Sequence, residues 1–176
     1  MQPIYARGFT LSELLITLCL LAIASALVAP NLVQYAQNNR HENLRHSLQS
    51  HLKTSRGEAI NLMRRVELCG SSTGERCDHA WNEGWLIRDA LLGTTLAYTR
   101  QPDLGAANGR LRWAGTGATS QSIFYQANGT TAASNGRFIM CSGENSVVWQ
   151  LVINRQGRVR YSNGLEAGQS HTGLCR

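Results

Sequence analysis

The sequence predicts an α+β fold, one long N-terminal α-helix packed on antiparallel β-sheet. Three observations predict it. Residues 14–29 form an apolar run without a single charge. Residues 34–64 become amphipathic with a helical period. Beyond residue 65 that period is lost, and short β-rich segments alternate with clusters of Gly, Asn, Ser and Pro.

The apolar run opens the helix. Residues 9–33 suffice to cross a bilayer, whose hydrocarbon takes about 20 helical residues. Pro30 lies near the end of that span. A proline there either kinks the helix or bounds it, and the sequence leaves both open. Further on, Leu44, Leu48 and Leu52 fall at i, i+4 and i+8, with Ser55, Ala59 and Met63 continuing near the same face. Arg40, Glu42, Arg45, Lys53, Arg56 and Glu58 decorate the remainder. A helix over residues 9–63 would be roughly 80 Å long at about 1.5 Å per residue. His41, His46 and His51 recur every five residues, a rotation of about 500°, so they do not share a face. They read as surface residues rather than ligands.

The strands come next. Residues 66–69 alternate like a strand, and residues 70–80 form a polar loop. Residues 81–87, with Trp81 and Trp85, read as a second strand, and residues 94–100 as a third. Residues 101–109 carry Pro, Asp, Gly and Asn and read as a turn or loop. Residues 111–113 and 122–126 are short strand candidates, and Asn128-Gly129 is a turn signal. The clearest strands are residues 137–141 and 147–154. Gln156-Gly157 turns the chain, and residues 158–162 return as a hairpin partner. The stretch at 115–119, Gly-Thr-Gly-Ala-Thr, lacks the Lys-Ser/Thr ending of a phosphate loop. Asn128-Gly129-Thr130 matches a glycosylation sequon and is read as a turn.

Five cysteines divide into one and four. Cys19 lies in the apolar run as a packing residue. Cys69, Cys77, Cys141 and Cys175 lie in the polar part, where four cysteines allow three pairings. An anchor of this kind exports the chain beyond it, so these thiols meet an oxidising compartment. The favoured pairing closes a short loop with Cys69–Cys77 and staples the chain end with Cys141–Cys175. A metal site from Cys69, Cys77 and His79 lacks a C-x-x-C pair and a convincing fourth ligand, so no metal is expected.

The formal net charge of +6 permits a polyanionic partner without requiring one. There is no nucleophile elbow, no H-E-x-x-H and no P-loop, and the acids are scattered, so neither enzyme activity nor a cofactor is expected. The sharpest functional feature is the stretch 154–160, Asn-Arg-Gln-Gly-Arg-Val-Arg. On a strand Arg158 and Arg160 would share one face, with Cα atoms about 6.6–6.8 Å apart. Val159 and Tyr161 would then face the core. Gly157 lets the turn adopt positive φ. With Arg155 beside the turn, these guanidiniums suit successive phosphates rather than base edges. Equally, paired charges on a strand are usually just a solvated face. Arg137, Arg110, Arg112 and Arg176 are candidates to widen the patch.

At the other end, Arg7-Gly8-Phe9-Thr10-Leu11-Ser12-Glu13 sets a carboxylate at the mouth of the apolar run. Such a charge is costly in lipid unless something pairs with it. A cut after Gly8 would supply a partner, the new α-amino group of Phe9. This segment resembles the class III leader of type IV pilins and pseudopilins. The resemblance implies cleavage between Gly8 and Phe9 by prepilin peptidase and N-methylation of Phe9. It also implies that Glu13, fifth after the cut, pairs with the amine of a neighbouring subunit during assembly.

The order long helix, Ser-Arg-Gly-Glu-Ala-Ile at 55–60, a strand ending in Cys69, then W-x-x-G-W at 81–85 extends the resemblance. It resembles the minor pseudopilin family that includes FimT-like proteins of fimbrial biogenesis and GspH-like pseudopilins of type II secretion. This implies a type IV pilin-like fold: leader 1–8, transmembrane half-helix 9–33, amphipathic half-helix 34–64 and β-rich domain 65–176. It further implies a single-pass protein of the bacterial inner membrane, its C-terminal domain periplasmic, assembled with other pilins or pseudopilins. FimT-like members carry a C-terminal G-R-x-R motif implicated in binding DNA during natural transformation. Gly157-Arg158-Val159-Arg160 matches it position by position. The expected function is a minor pilin that binds double-stranded DNA for uptake. The alternative is an H-type minor pseudopilin of type II secretion, or an assembly-priming minor pilin, without DNA binding.

Overall fold

The computed structural model describes residues 8, 10–101, 109–116 and 121–175, without the side chains of 27–31 and 33. Its elements are α1 (Leu11–Asn61), β1 (Val66–Gly70), β2 (Gly84–Asp89), β3 (Thr95–Arg100), β4 (Arg110–Gly115), β5 (Ile123–Tyr125), β6 (Gly136–Cys141), β7 (Val147–Ile153), β8 (Val159–Asn163) and α2 (His171–Cys175). The α+β class and the antiparallel pairing are those read from the sequence. Residues 1–40 and 41–176 are two compact units.

In the first unit a reciprocal capping box starts α1. The Glu13 N–H donates to Thr10 Oγ1 at 3.3 Å, and the Thr10 N–H donates to Glu13 Oε2 at 3.1 Å. The carboxylate placed at the mouth of the apolar run thus satisfies the helix's own first turn. Leu11, Leu14, Leu15, Ile16, Leu18, Leu20, Leu21 and Ile23 are all exposed. The helix continues through Pro30, which therefore does not bound it. Among the described residues no helix is long and apolar enough to cross a membrane. The expected span 9–33 includes Phe9 and the side chains of 27–31 and 33, which lie outside the described residues, as do Arg7 and the rest of the leader before Gly8.

In the second unit the helix stripe meets both sheets in one core. Leu44, Leu48, Leu52 and Ala59 cluster with Val66, Leu68, Trp85 and Ile87 of one sheet and with Phe138, Met140, Trp149 and Leu151 of the other. The first sheet has strand order β3-β2-β1-β5, the second β4-β6-β7-β8. Each fully buried aliphatic side chain there contributes about 1.5–3 kcal/mol.

Three readings of the helix and its exit need correction. Met63 leaves the stripe: the helix ends at Asn61 and Met63 is 82% exposed with φ of 50°. The Arg64 N–H returns to Ala59 O at 3.2 Å and the Met63 N–H to Ile60 O at 3.2 Å, a Schellman ending that turns Met63 outward. His41 and His51 are not surface residues. His41 is buried, and His51 lies edge-on to Trp85 with Nε2 2.7 Å from Thr99 Oγ1. Their spacing to each other misleads; their spacing to Leu44, Leu48 and Leu52 puts both on the apolar face, while His46 falls off it. Finally, Trp81 precedes β2. The Ala80 carbonyl accepts from the Glu83 and Gly84 N–H groups, so residues 81–83 turn before the strand begins at Gly84.

The outer face of the second sheet is covered by the chain end, where the sequence predicts no element. Ile139, Cys141 and Val147 form a small cluster with Leu165, Leu174 and Cys175. Ser170 caps the short α2, accepting the Gly173 N–H at 3.2 Å. Cys141 is bonded to Cys175, and Cys69 to Cys77. Arg110 and Arg112 donate to the carbonyls of Cys175 and Leu174, the latter at 2.6 Å. Residues 164–175 are therefore a strap, closed by a disulfide and by two guanidiniums on the last helical carbonyls.

Candidate nucleic-acid interface

The candidate site is the turn between β7 and β8. Its backbone closes on Asn154: the Gly157 N–H donates to Asn154 O at 2.9 Å, and the Arg158 N–H to Asn154 Oδ1 at 2.9 Å. Gly157 has φ of 74°. It is also buried, and a Cβ there would lie 2.3 Å from Gly129 O. Two independent constraints thus demand glycine, the left-handed backbone and the close approach of a second turn. We expect Gly157→Ala to destabilise the domain by about 1–3 kcal/mol from backbone strain alone. Chemical denaturation measures this, and an unchanged midpoint would refute the packing argument.

The second turn is itself held. The Gly129 N–H donates to Gln126 O at 2.8 Å, and Arg56 of α1 donates from Nε to Gly129 O at 3.0 Å. Thr131 ties the two turns, its N–H to Arg155 O at 3.0 Å and its hydroxyl to Asn154 O at 2.8 Å. Asn128 Oδ1 accepts from the Thr130 N–H and hydroxyl, so the sequon side chain serves the turn. Beneath this contact lies Tyr125, whose hydroxyl burial pushes well above the usual phenol range against the pull of Arg56.

On this mount Arg155 and Arg158 are exposed, and neither side chain makes an ion pair among the described residues. Arg160 is exposed as well but differs. Its Nη2 lies 2.6 Å from Glu166 Oε1. Arg158 precedes the first residue of β8, so it belongs to the turn rather than to the ladder. The register sets Arg137, Val152 and Arg160 side by side across β6, β7 and β8. Tyr161 does not enter the core; Arg45 of α1 sits over its ring at 4.4 Å, while Val159 packs against the core. Arg110 and Arg112 serve the strap, and Arg176 lies outside the described residues.

Glu67, Cys69 and Cys77 lie within ligand reach of one another, but both sulfurs are consumed in a disulfide and Glu67 is 2.7 Å from Arg88. Glu166 is the residue that sequence reasoning missed. It stands four positions beyond Ser162 in a polar tail, and only the fold-back of the strap brings it to the arginines.

A long helix backed by two antiparallel sheets is the type IV pilin fold. Two crystal structures of the type IV minor pilin FimU of Pseudomonas aeruginosa strain PAO1 share it. One superposes with a TM-score of 0.57 at 20% identity, covering 78% of this chain and 98% of the crystallised FimU chain. The other gives 0.51 at 21% identity, covering 74% and 98%. Residues 45–157 match the family of the type II transport protein GspH, and the chain belongs to that family. It is thus a minor pilin or pseudopilin, of a type IV pilus or of a type II secretion system. The family match ends at Gly157, so Arg158, Arg160 and the strap lie beyond it. No curated protein matches the chain.

Proposed function

We propose that this subunit is a minor pilin of a type IV pilus that binds double-stranded DNA without reading its sequence, for uptake in natural transformation. The observation that carries this reading is the clamped turn 154–158, which presents Arg155 and Arg158 outward with Arg160 beside them. Guanidiniums held this way contact phosphates and position a duplex, and they carry no base code. Titration of the full chain in non-ionic detergent with duplex DNA at several salt concentrations tests it. Affinity should fall with salt at a log–log slope of about −2 to −3, for two or three neutralised phosphates. Absence of salt-dependent binding to duplexes of unrelated sequence would end this reading.

The same proposal places residues 9–33 across the bacterial inner membrane in a single pass, with the domain 65–176 in the periplasm and residues 34–64 as the amphipathic half-helix. Prepilin peptidase removes residues 1–8 after Gly8, Phe9 becomes the N-methylated first residue, and Glu13 answers the amine of a neighbouring pilin. The uncharged run behind Glu13 and the exposure of its apolar side chains support this. N-terminal sequencing and intact mass of the protein recovered from cell membranes should give methylated Phe9 at the start. Recovery with Met1 retained would exclude processing and the filament assembly that depends on it.

A second reading is an H-type pseudopilin of type II secretion, or an assembly-priming minor pilin, whose contacts are with other pilins alone. The carboxylate of Glu166 against Arg160 favours it, because that arginine is then already compensated.

A further inference from the structure

The arginine pair Arg137 and Arg160 flanks Val152 on neighbouring strands, so the two Cα atoms are separated by two strand spacings, about 9.6 Å. One anion bridges that gap. Glu166 Oε1 lies 2.6 Å from Arg160 Nη2, and Glu166 Oε2 lies 3.6 Å from Arg137 Nη1. Each guanidinium thus faces one oxygen of a single carboxylate. We propose that this gap is an anion subsite continuous with the turn 154–158, filled in the free subunit by the chain's own Glu166, which a phosphate of bound DNA displaces.

Arg137 is held in place without Glu166. Its Nη1 donates to Gln150 Oε1 at 3.0 Å, and Gln150 is fully buried. The Gln150 Nε2 in turn donates to Gly164 O at 2.8 Å and to Gln169 Oε1 at 2.7 Å, and Gln169 Oε1 also accepts the Glu166 N–H at 3.0 Å. The buried glutamine therefore orients both the arginine and the backbone of the strap. The carboxylate has one further partner, Gln169 Nε2, which donates to Glu166 Oε2 at a long 3.4 Å. Its Oε1 is close to Arg160 yet lacks an aligned hydrogen bond, and the Glu166 side chain retains 23% exposure. A phosphate presents more oxygens to the same two guanidiniums and pairs with them bidentately. The strap keeps Glu166 beside the arginines through Leu165, Leu174 and the Cys141–Cys175 bond, so its carboxylate competes at high effective concentration. Displacement lowers affinity and salt slope below the values that the number of arginines would give.

The subsite rests on reading the turn as a DNA-contacting surface, and the experiment separates the two. The full chain in non-ionic detergent is compared with Glu166→Gln, with Glu166→Asp, and with Glu144→Gln, a loss of an exposed charge elsewhere in the domain. Each is eluted from immobilised heparin by salt and titrated with duplex DNA. Glu166→Gln should elute later than Glu144→Gln and bind duplex about 3- to 10-fold more tightly, its salt slope steeper by about 1 to 2. Glu166→Asp, which withdraws the carboxylate at constant charge, should also elute later than the parent. In an Arg137→Ala/Arg160→Ala background the gain from Glu166→Gln should shrink to that of Glu144→Gln. Equal elution of Glu166→Gln and Glu144→Gln, or a gain that survives loss of both arginines, overturns the subsite. Heparin shifts without any duplex binding would leave the subsite standing and remove DNA as its ligand. Duplex binding lost in Arg158→Ala/Arg160→Ala but indifferent to Glu166 would keep DNA and remove the subsite.

Discussion

Replacing Arg158 and Arg160 together by alanine is expected to weaken duplex binding by about 10- to 100-fold at low salt, because two charge-assisted hydrogen-bonding groups are removed. The log–log salt slope should become shallower by about 0.9 to 1.8, at 0.9 per phosphate no longer neutralised, the lower figure holding where Glu166 already compensates Arg160. The loss should be the same for unrelated sequences, because phosphate contacts carry no sequence information. Both side chains are exposed, and the turn's hydrogen bonds use the backbone of Arg158 rather than its guanidinium. Stability should fall by no more than about 1 kcal/mol, the usual worth of an exposed ion pair, because Arg160 also gives up its contact with Glu166. A correctly folded double variant, checked by circular dichroism and its melting curve, that binds duplex as the parent does would move the site off the β7–β8 turn.

The second large effect concerns the strap. Cys141 and Cys175 are 34 positions apart, so opening their bond releases a long loop in the unfolded chain. Loop-closure entropy gives a loss of about 3.5–4 kcal/mol, and a fall in melting temperature on the order of 10 °C. The Cys69–Cys77 bond spans only 8 positions, and its loss should cost about 2.5 kcal/mol on the same reasoning. The Cys141→Ser/Cys175→Ser variant should also loosen Leu165 and Leu174 from Ile139 and Val147, exposing apolar surface to a fluorescent probe. Thermal melts of the two double-serine variants settle the order. A smaller effect at Cys141–Cys175 than at Cys69–Cys77 would mean that the strap does not depend on its tether.

Much of this architecture was legible because its signals are local. The apolar run, the leucine stripe from Leu44 to Leu52, the strand-like run at 147–154 and the Asn128-Gly129 turn are each decided within a few residues. The features that escaped the sequence depend on neighbours far along the chain. His41 and His51 look like polar decoration until the leucines fix which face is inward and Trp85 and Thr99 arrive opposite. Trp81 has the composition of a strand, but the Ala80 carbonyl captures the Glu83 and Gly84 amides and delays β2. Residues 164–175 are polar and glycine-rich, and their order comes from Cys141, Arg110 and Arg112 rather than from any propensity. Within the site, the need for glycine at 157 was legible as a turn requirement. The second requirement, contact with Gly129, was not, since it needs the two turns side by side. Arg158 and Arg160 look equivalent in sequence and differ in the fold, because only Arg160 has a carboxylate beside it.

The chain Arg56, Gly129, Gly157 has a mechanical meaning. The β7–β8 turn is referenced to the helix through two contacts at one carbonyl, that of Gly129: a hydrogen bond from Arg56 and a close approach of Gly157 that excludes a side chain. A hairpin tip normally swivels on its own two strands. Here the tip shares the helix's bearing, so whatever fixes the azimuth of residues 41–61 also aims Arg155 and Arg158. The arginines behave as fittings bolted to an axle rather than as tassels on a ribbon.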